Sequence, residues 1–195
     1  MDRQRGEIRG EAVELSRASG KSGINNQNNR KRAPVTVSLR ESITQISDPH
    51  SLDASVGEVF ELMLGWRCRR EEDPRVQEAN SVTAVVGFGG VLSGACILRS
   101  GAQAALAIAA RMTGAEFTEV DETVLDGIGE ICNMLAGSWK GRFPELAAHC
   151  GLSIPAVIAG SDYNLRVQAP EFELRHTYRF ENLSFEVMIV CDGLQ

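Results

Sequence analysis

The stretch Asp126-Gly-Ile-Gly-Glu130-Ile-Cys-Asn133-Met-Leu-Ala-Gly137 holds the residues whose types and spacing could do chemistry. At about 100° of rotation per residue, Asp126, Glu130, Asn133 and Gly137 fall on one helical stripe roughly 60° wide. Val124, Ile128, Ile131 and Leu135 fall on the opposite side and would dock the helix on a sheet. The stripe then offers two carboxylates and an amide to whatever approaches from outside. Gly127, Gly129, Ala136 and Gly137 flank it, although an interior glycine costs a helix about 1 kcal/mol relative to alanine. Two compensations are open. Missing side chains let another protein's backbone come close to Glu130 and Asn133, or they let this helix pack tightly against its own neighbours. A polar stripe alone is by default a solvated face.

No competing constellation is present in the 195 residues. There is no Ser-His-Asp order, Gly-x-Ser-x-Gly elbow, phosphate-binding P-loop or metal-binding histidine run, so no metal site is expected. His50, His149 and His176 are scattered and read as structural or exposed. Cys68, Cys96, Cys132, Cys150 and Cys191 are odd in number and form no Cys-x-x-Cys pair. They read as reduced core residues, Cys132 among them although it neighbours the stripe.

The elements that must position the stripe follow from periodicity. Val56, Val59, Phe60, Met63 and Leu64 predict a first long helix from Ser51 to a stop at Gly65. Val82–Phe88 and Val91–Leu98 predict a hairpin about Gly89-Gly90. Gly101–Met112 is Ala-rich and helical, with Gly114 as its stop. Thr118 or Asp121 can cap the helix that carries the stripe, which runs to about Trp139. A short helix over Pro144–His149 follows, then strands over Leu152–Ala159, Tyr163–Gln168, Glu171–Phe180 and Leu183–Cys191. Helix, hairpin, helix, helix and strands make an α+β chain with a mainly antiparallel sheet.

The two long helices also align with each other. Ser55-Val-Gly-Glu-Val-Phe-Glu-Leu-Met-Leu-Gly65 lies over Gly127-Ile-Gly-Glu-Ile-Cys-Asn-Met-Leu-Ala-Gly137, an offset of 72 residues. Gly57/Gly129, Glu58/Glu130 and Gly65/Gly137 coincide, which implies two pseudo-symmetric halves. Ala54 and Glu61 stand where the second helix has Asp126 and Asn133, so the full polar set occurs once.

Charge divides the chain. Residues 1–35 carry eight Lys or Arg against four Asp or Glu, leaving 12 against 22 for the rest of a chain whose net charge is −6. Residues 19–34 are Ser-, Gly-, Asn- and Gln-rich, so residues 1–35 are expected to be a basic disordered tail and linker, and 36–195 the folded domain. Residues 7–18 could form a short amphipathic helix. An acidic domain without a basic stripe argues against nucleic acid. No apolar run reaches the roughly 18 residues of a membrane span, and the charged start lacks a secretory signal's apolar core, so a cytoplasmic location without membrane insertion is expected.

Asp126-x3-Glu130-x2-Asn133, followed by Pro155, resembles the signature of the CheC/CheX/FliY chemotaxis phosphatases. That signature is Asp or Ser, three residues, Glu, two residues, Asn, then about 22 residues and Pro. Here 21 residues separate Asn133 from Pro155. The likeness extends over roughly residues 50–195, through Glu58–Gly65, the hairpin, Ala104–Gly114 and Leu152–Gly160. CheC-like members commonly keep a Glu and an Asn in both halves and CheX-like members keep one centre in the later helix, so Ala54 and Glu61 place this chain nearer the CheX-like branch.

The resemblance implies a CheC-like fold and the hydrolysis of the aspartyl phosphate of a CheY-like receiver. Asn133 would orient the attacking water and Glu130 would pair with the receiver's active-site lysine. Asp126, Gly129 and Gly137 would serve partner binding, and Pro155 would shape the backbone beside the helix. It also implies Mg2+ on the partner receiver, no cofactor on this chain, and a homodimer through strands of the sheet. The alternative is a module that binds a receiver, as in a flagellar switch, without catalysing hydrolysis.

Overall fold

The computed structural model describes residues 43–72, 80–161, 163, 165, 166 and 170–194. The expectations for residues 1–35, including the helix over 7–18, lie outside the described residues. Helix α1 spans Pro49–Leu64, where Asp48 accepts a hydrogen bond from His50 N–H and Pro49 opens the first turn. Gly65, at φ 68°, ends it in the left-handed conformation that glycine adopts without strain. A short strand β1 (Arg69–Glu71) follows, then the hairpin β2 (Ser81–Gly90) and β3 (Leu92–Gly101). Helix α2 (Ala102–Thr113) starts directly from β3 and stops at Gly114. Helix α3 (Glu122–Gly141) is capped by Asp121, which accepts from Val124 N–H. Helix α4 (Pro144–His149) and strands β4 (Cys150–Leu152), β5 (Ala156–Gly160), β6 (Phe172–Phe180) and β7 (Leu183–Leu194) complete the order.

The sheet runs β1-β6-β7-β3-β2-β4, with β5 also on β2, and every pairing is antiparallel. This order has the pseudo-two-fold that the helix repeat implied. The β2–β3 and β6–β7 hairpins meet at the β3–β7 seam, with Leu98 opposite Val187. Strand β1, which follows α1, pairs with β6 of the second half, whereas β4 and β5, which follow α3, pair with β2 of the first. Each half therefore lends its short strands to the hairpin of the other.

Alternation along the strands explains the core. Val82, Ala84, Val86 and Phe88 on β2, Cys96 and Leu98 on β3, and Phe185, Val187 and Ile189 on β7 are buried together with the apolar faces of the helices. Phe60 of α1 stacks on Phe185, centroids 4.4 Å apart, and the fully buried Trp139 of α3 meets Phe88 at 5.4 Å. The opposite sheet face carries a smaller apolar cluster of Ile97, Met188 and Val190, joined by Val85 and Ala95.

Three expectations need correction. Gly89 and Gly90 do not form the hairpin turn: they stay in β2 and pair with Gly151 and Cys150 of β4, and the chain reverses at Val91. A side chain at Gly90 would run into the His149 carbonyl, and its φ of 115° also suits glycine. Leu152–Ala159 is not one strand. Between the Phe88–Leu152 and Val85–Ala156 pairs, residues 153–155 face only 86 and 87, which is a β-bulge. Pro155 has no N–H for a ladder, and Ser153 Oγ accepts from Gly87 N–H of the distant β2 at 2.9 Å instead. Finally, Tyr163, Leu165 and Arg166 lie outside any strand, the rest of 163–168 except these falling outside the described residues. Tyr163 is held by its side chain, through a 2.6 Å hydrogen bond to Thr83 and the Arg99 guanidinium 5.7 Å from its ring centroid.

Candidate functional site

Helix α3 buries Val124, Ile128, Ile131, Cys132, Leu135, Ala136 and Trp139 against the sheet and the other helices. Asp126 and Glu130 are exposed, and Asn133 and Gly137 half-buried, so the polar stripe faces outward. The far end of the helix is pinned. Trp139 Nε1–H donates to Ser51 Oγ at 3.1 Å, and Lys140 Nζ donates to Cys150 O at 2.6 Å. At the other end, Asp121 satisfies an orphan N–H of the first turn. The stripe thus sits on a rigid rod, and no hydrogen bond or ion pair among the described residues holds the Glu130 or Asn133 side chains.

The glycines beside the stripe divide between the two readings. A methyl group at Gly129 would lie 3.2 Å from Val157 Cγ2 and 3.3 Å from Pro155 Cβ. At Gly127 it would meet Ala109 Cβ at 3.6 Å and Met112 Sδ at 3.7 Å. Both glycines therefore seat neighbours of the same chain. This corrects the reading of Gly129 as a partner-binding position: it is buried, and its missing side chain admits Pro155. Gly137 has nothing within 4 Å of a methyl position and stays open. The Gly129–Pro155 contact joins the last residue of the sequence signature to the turn that carries Glu130. A glycine directly before Glu130 was the sequence signal for it.

The first helix presents a different face at the matching positions. Glu58, the counterpart of Glu130, accepts from Arg142 Nη2 at 2.7 Å and from Ser138 Oγ at 3.1 Å. Arg142 Nε–H also donates to the buried Ser55 Oγ at 2.8 Å. Glu61, the counterpart of Asn133, lies 3.5 Å from Arg67 Nε. The arginine that engages Glu58 lies just past the end of α3, a long-range pairing that spacing within either helix does not show.

Other titratable groups are placed structurally. Cys132 Sγ–H lies 3.5 Å from both the Ala84 and Cys96 carbonyl oxygens, in the core rather than on the stripe. The Cys96 thiol is held well above its ordinary range by its contact with Cys132 and by burial. His176, only 5 % exposed, uses Nδ1 to reach Asp53 Oδ1 at 2.9 Å, and Tyr178 O–H donates to the same oxygen at 2.8 Å. Among the described residues, no group of three or more His, Cys, Asp or Glu is arranged to hold a metal, and no helix is long and apolar enough to cross a membrane.

With this geometry in place, comparison with known proteins is informative. Residues 82–176, which include Glu130, Asn133 and Pro155, match the family described as Chemotaxis phosphatase CheX. A Thermotoga maritima protein named CheY-P phosphatase CheX is 29% identical over 126 residues, covering 61% of this chain and 81% of its own. The crystal structure of chemotaxis protein CheX from Vibrio vulnificus superposes with a TM-score of 0.63 at 22% identity, over 75% of this chain and 99% of that one. CheX from a CheX–CheY–BeF3–Mg2+ complex of Borrelia burgdorferi gives 0.60 at 21% identity, over 74% and 96%. The sequence signature, the two-fold sheet order and these matches agree: residues 82–176 carry the CheX family match, and the chain is similar to the CheC/CheX/FliY chemotaxis phosphatases.

Proposed function

We propose that this protein dephosphorylates a CheY-type receiver domain by hydrolysing its aspartyl phosphate. The observation that carries the reading is the asymmetry of the two long helices: Glu58 and Glu61 are engaged by Arg142 and Arg67, whereas Glu130 and Asn133 stand unengaged among the described residues on an outward ridge. The relative from Thermotoga maritima carries the name CheY-P phosphatase, which supports the same activity here.

In this mechanism the protein contributes position rather than a nucleophile. A water oxygen attacks phosphorus in line with the bond to the aspartyl oxygen. The new P–O bond forms as that bond breaks, releasing inorganic phosphate and the receiver's carboxylate, and the water proton passes to phosphate or solvent. The Asn133 carboxamide accepts a hydrogen bond from the water and holds it on that line, as a positioning glutamine does in GTP hydrolysis. Glu130 pairs with the receiver's active-site lysine and fixes register. Mg2+ belongs to the receiver's own acidic pocket, where it neutralises the phosphoryl oxygens. Asp126, one turn before Glu130, contributes to docking.

The test is the decay of phosphoryl groups on CheY-type receivers in Mg2+, with wild type, Asn133→Ala and Glu130→Ala. Wild type is expected to accelerate decay, and Asn133→Ala to remove about 10²-fold of that acceleration with the fold retained, because one misplaced water costs that much. Binding without acceleration would reject hydrolysis in favour of a docking module.

A further inference from the structure

We infer that Ile154, carried on the bulge between β4 and β5, is an apolar anchor that seats the receiver domain on the Glu130–Asn133 ridge. The inference rests on the phosphatase reading and adds a specificity residue that the sequence signature does not contain. Ile154 is 88% exposed, the most exposed of the large apolar side chains among the described residues. A single exposed isoleucine is ordinary; its placement is not.

Two contacts locate it. Lys140 Nζ holds the Cys150 carbonyl at 2.6 Å, and Pro155 lies against Gly129. Residues 151–154 therefore run beside the turns of α3 that lie between Gly129 and Lys140, the turns that bear Glu130 and Asn133. The segment is also fixed. Ser153 N–H donates to Gly87 O at 2.9 Å, Ser153 Oγ accepts from Gly87 N–H at 2.9 Å and lies 2.8 Å from the Ile154 carbonyl, and the proline ring limits φ at 155. Leu152 shares its sheet face with Phe88, and Val157 with Ala84, both toward the helices. The extra residue breaks the alternation between them, so Ile154 is released from the ladder that a continuous strand would have imposed.

Continuity with the ridge identifies the occupant. A specific complex covers about 800 Å² on each partner, a patch far wider than one helix turn. A receiver whose phosphorylated pocket meets Glu130 and Asn133 must also cover the segment next to Pro155. There it would bury Ile154 against an apolar patch beside its own pocket, a rigid contact of the kind that sets affinity.

The experiment measures receiver affinity and dephosphorylation kinetics for wild type, Ile154→Ser, Ile154→Leu and Asn133→Ala, using CheY-type receivers phosphorylated with a small phosphodonor and Mg2+. Ile154→Ser is expected to weaken binding and raise KM about 10-fold or more, a typical effect of losing an interface anchor, with kcat within about 2-fold and thermal unfolding unchanged. Ile154→Leu should restore KM. An Ile154→Ser protein with wild-type affinity overturns the anchor even if Asn133→Ala confirms hydrolysis. Reduced affinity with no hydrolysis by wild type supports the anchor and overturns the phosphatase reading alone. If wild type binds no receiver, both fall together.

Discussion

Glycines 129 and 137 have the same type and flank the same stripe, yet space separates their roles. A larger side chain at Gly129 must displace Val157 or Pro155, both within 3.3 Å of a methyl position. Gly129→Val is therefore expected to destabilise the protein by about 2 kcal/mol, the usual range for overpacking, and to slow dephosphorylation by shifting the turn that carries Glu130. Gly137→Ala meets open space. It should stabilise by about 0.5–1 kcal/mol through helix propensity and, on the proposal that a partner's backbone docks there, raise KM for the receiver. Denaturant unfolding and steady-state kinetics on both variants decide this, and a stabilised Gly137→Ala with unchanged KM would remove Gly137 from the docking surface.

At the scale of elements, the start of α1 and the end of α3 are clasped by Glu58, Ser55, Ser138, Arg142 and the Trp139–Ser51 hydrogen bond. Glu58 is 51% exposed and Arg142 31%, so water screens the ion pair and its worth is small. Arg142→Ala is expected to lower stability by about 0.5–1 kcal/mol in urea unfolding and, on the proposal of a single centre on α3, to leave dephosphorylation within about 2-fold of wild type. A large loss of activity in this variant would show that the two helices work as one centre.

The whole molecule is tied across its pseudo-two-fold by His176 of the second half. Its partner Asp53 belongs to the first half, with Arg70 Nη1 and His50 Nδ1 of that half at 3.5 and 3.9 Å from the other Asp53 oxygen. Burial holds the imidazole below its ordinary 6.5 and outweighs the opposing Asp53 hydrogen bond, while Arg70 pushes in the same direction as burial. The unfolded chain then binds the proton more tightly than the folded one. The contribution to stability is complete above about pH 6.5 and is lost as pH falls through the lower folded value. The melting temperature should therefore drop between pH 7 and 5 more steeply for wild type than for His176→Gln, and parallel curves would refute the assignment.

The sequence by itself determined what local physics controls. The 3.6-residue pattern and the glycine stops at 65 and 114 placed the long helices, the structure choosing Asp121 over Thr118 as the cap of α3, and the stripe on α3 was legible because helical geometry is the same wherever a helix is placed. The two-fold was legible in the 72-residue offset because both halves repeat one local pattern. The tertiary structure decided the contacts between distant parts of the chain. It set the bulge at 153–155, where Ser153 bonds Gly87 of β2 and Pro155 packs on Gly129, and it left Gly137 open while filling the space at Gly129. It also brought Arg142 to Glu58, 84 residues away, which separates the two helices chemically. Side-chain types fix what a residue can do, and which neighbour it does it with depends on packing that no short window of sequence contains.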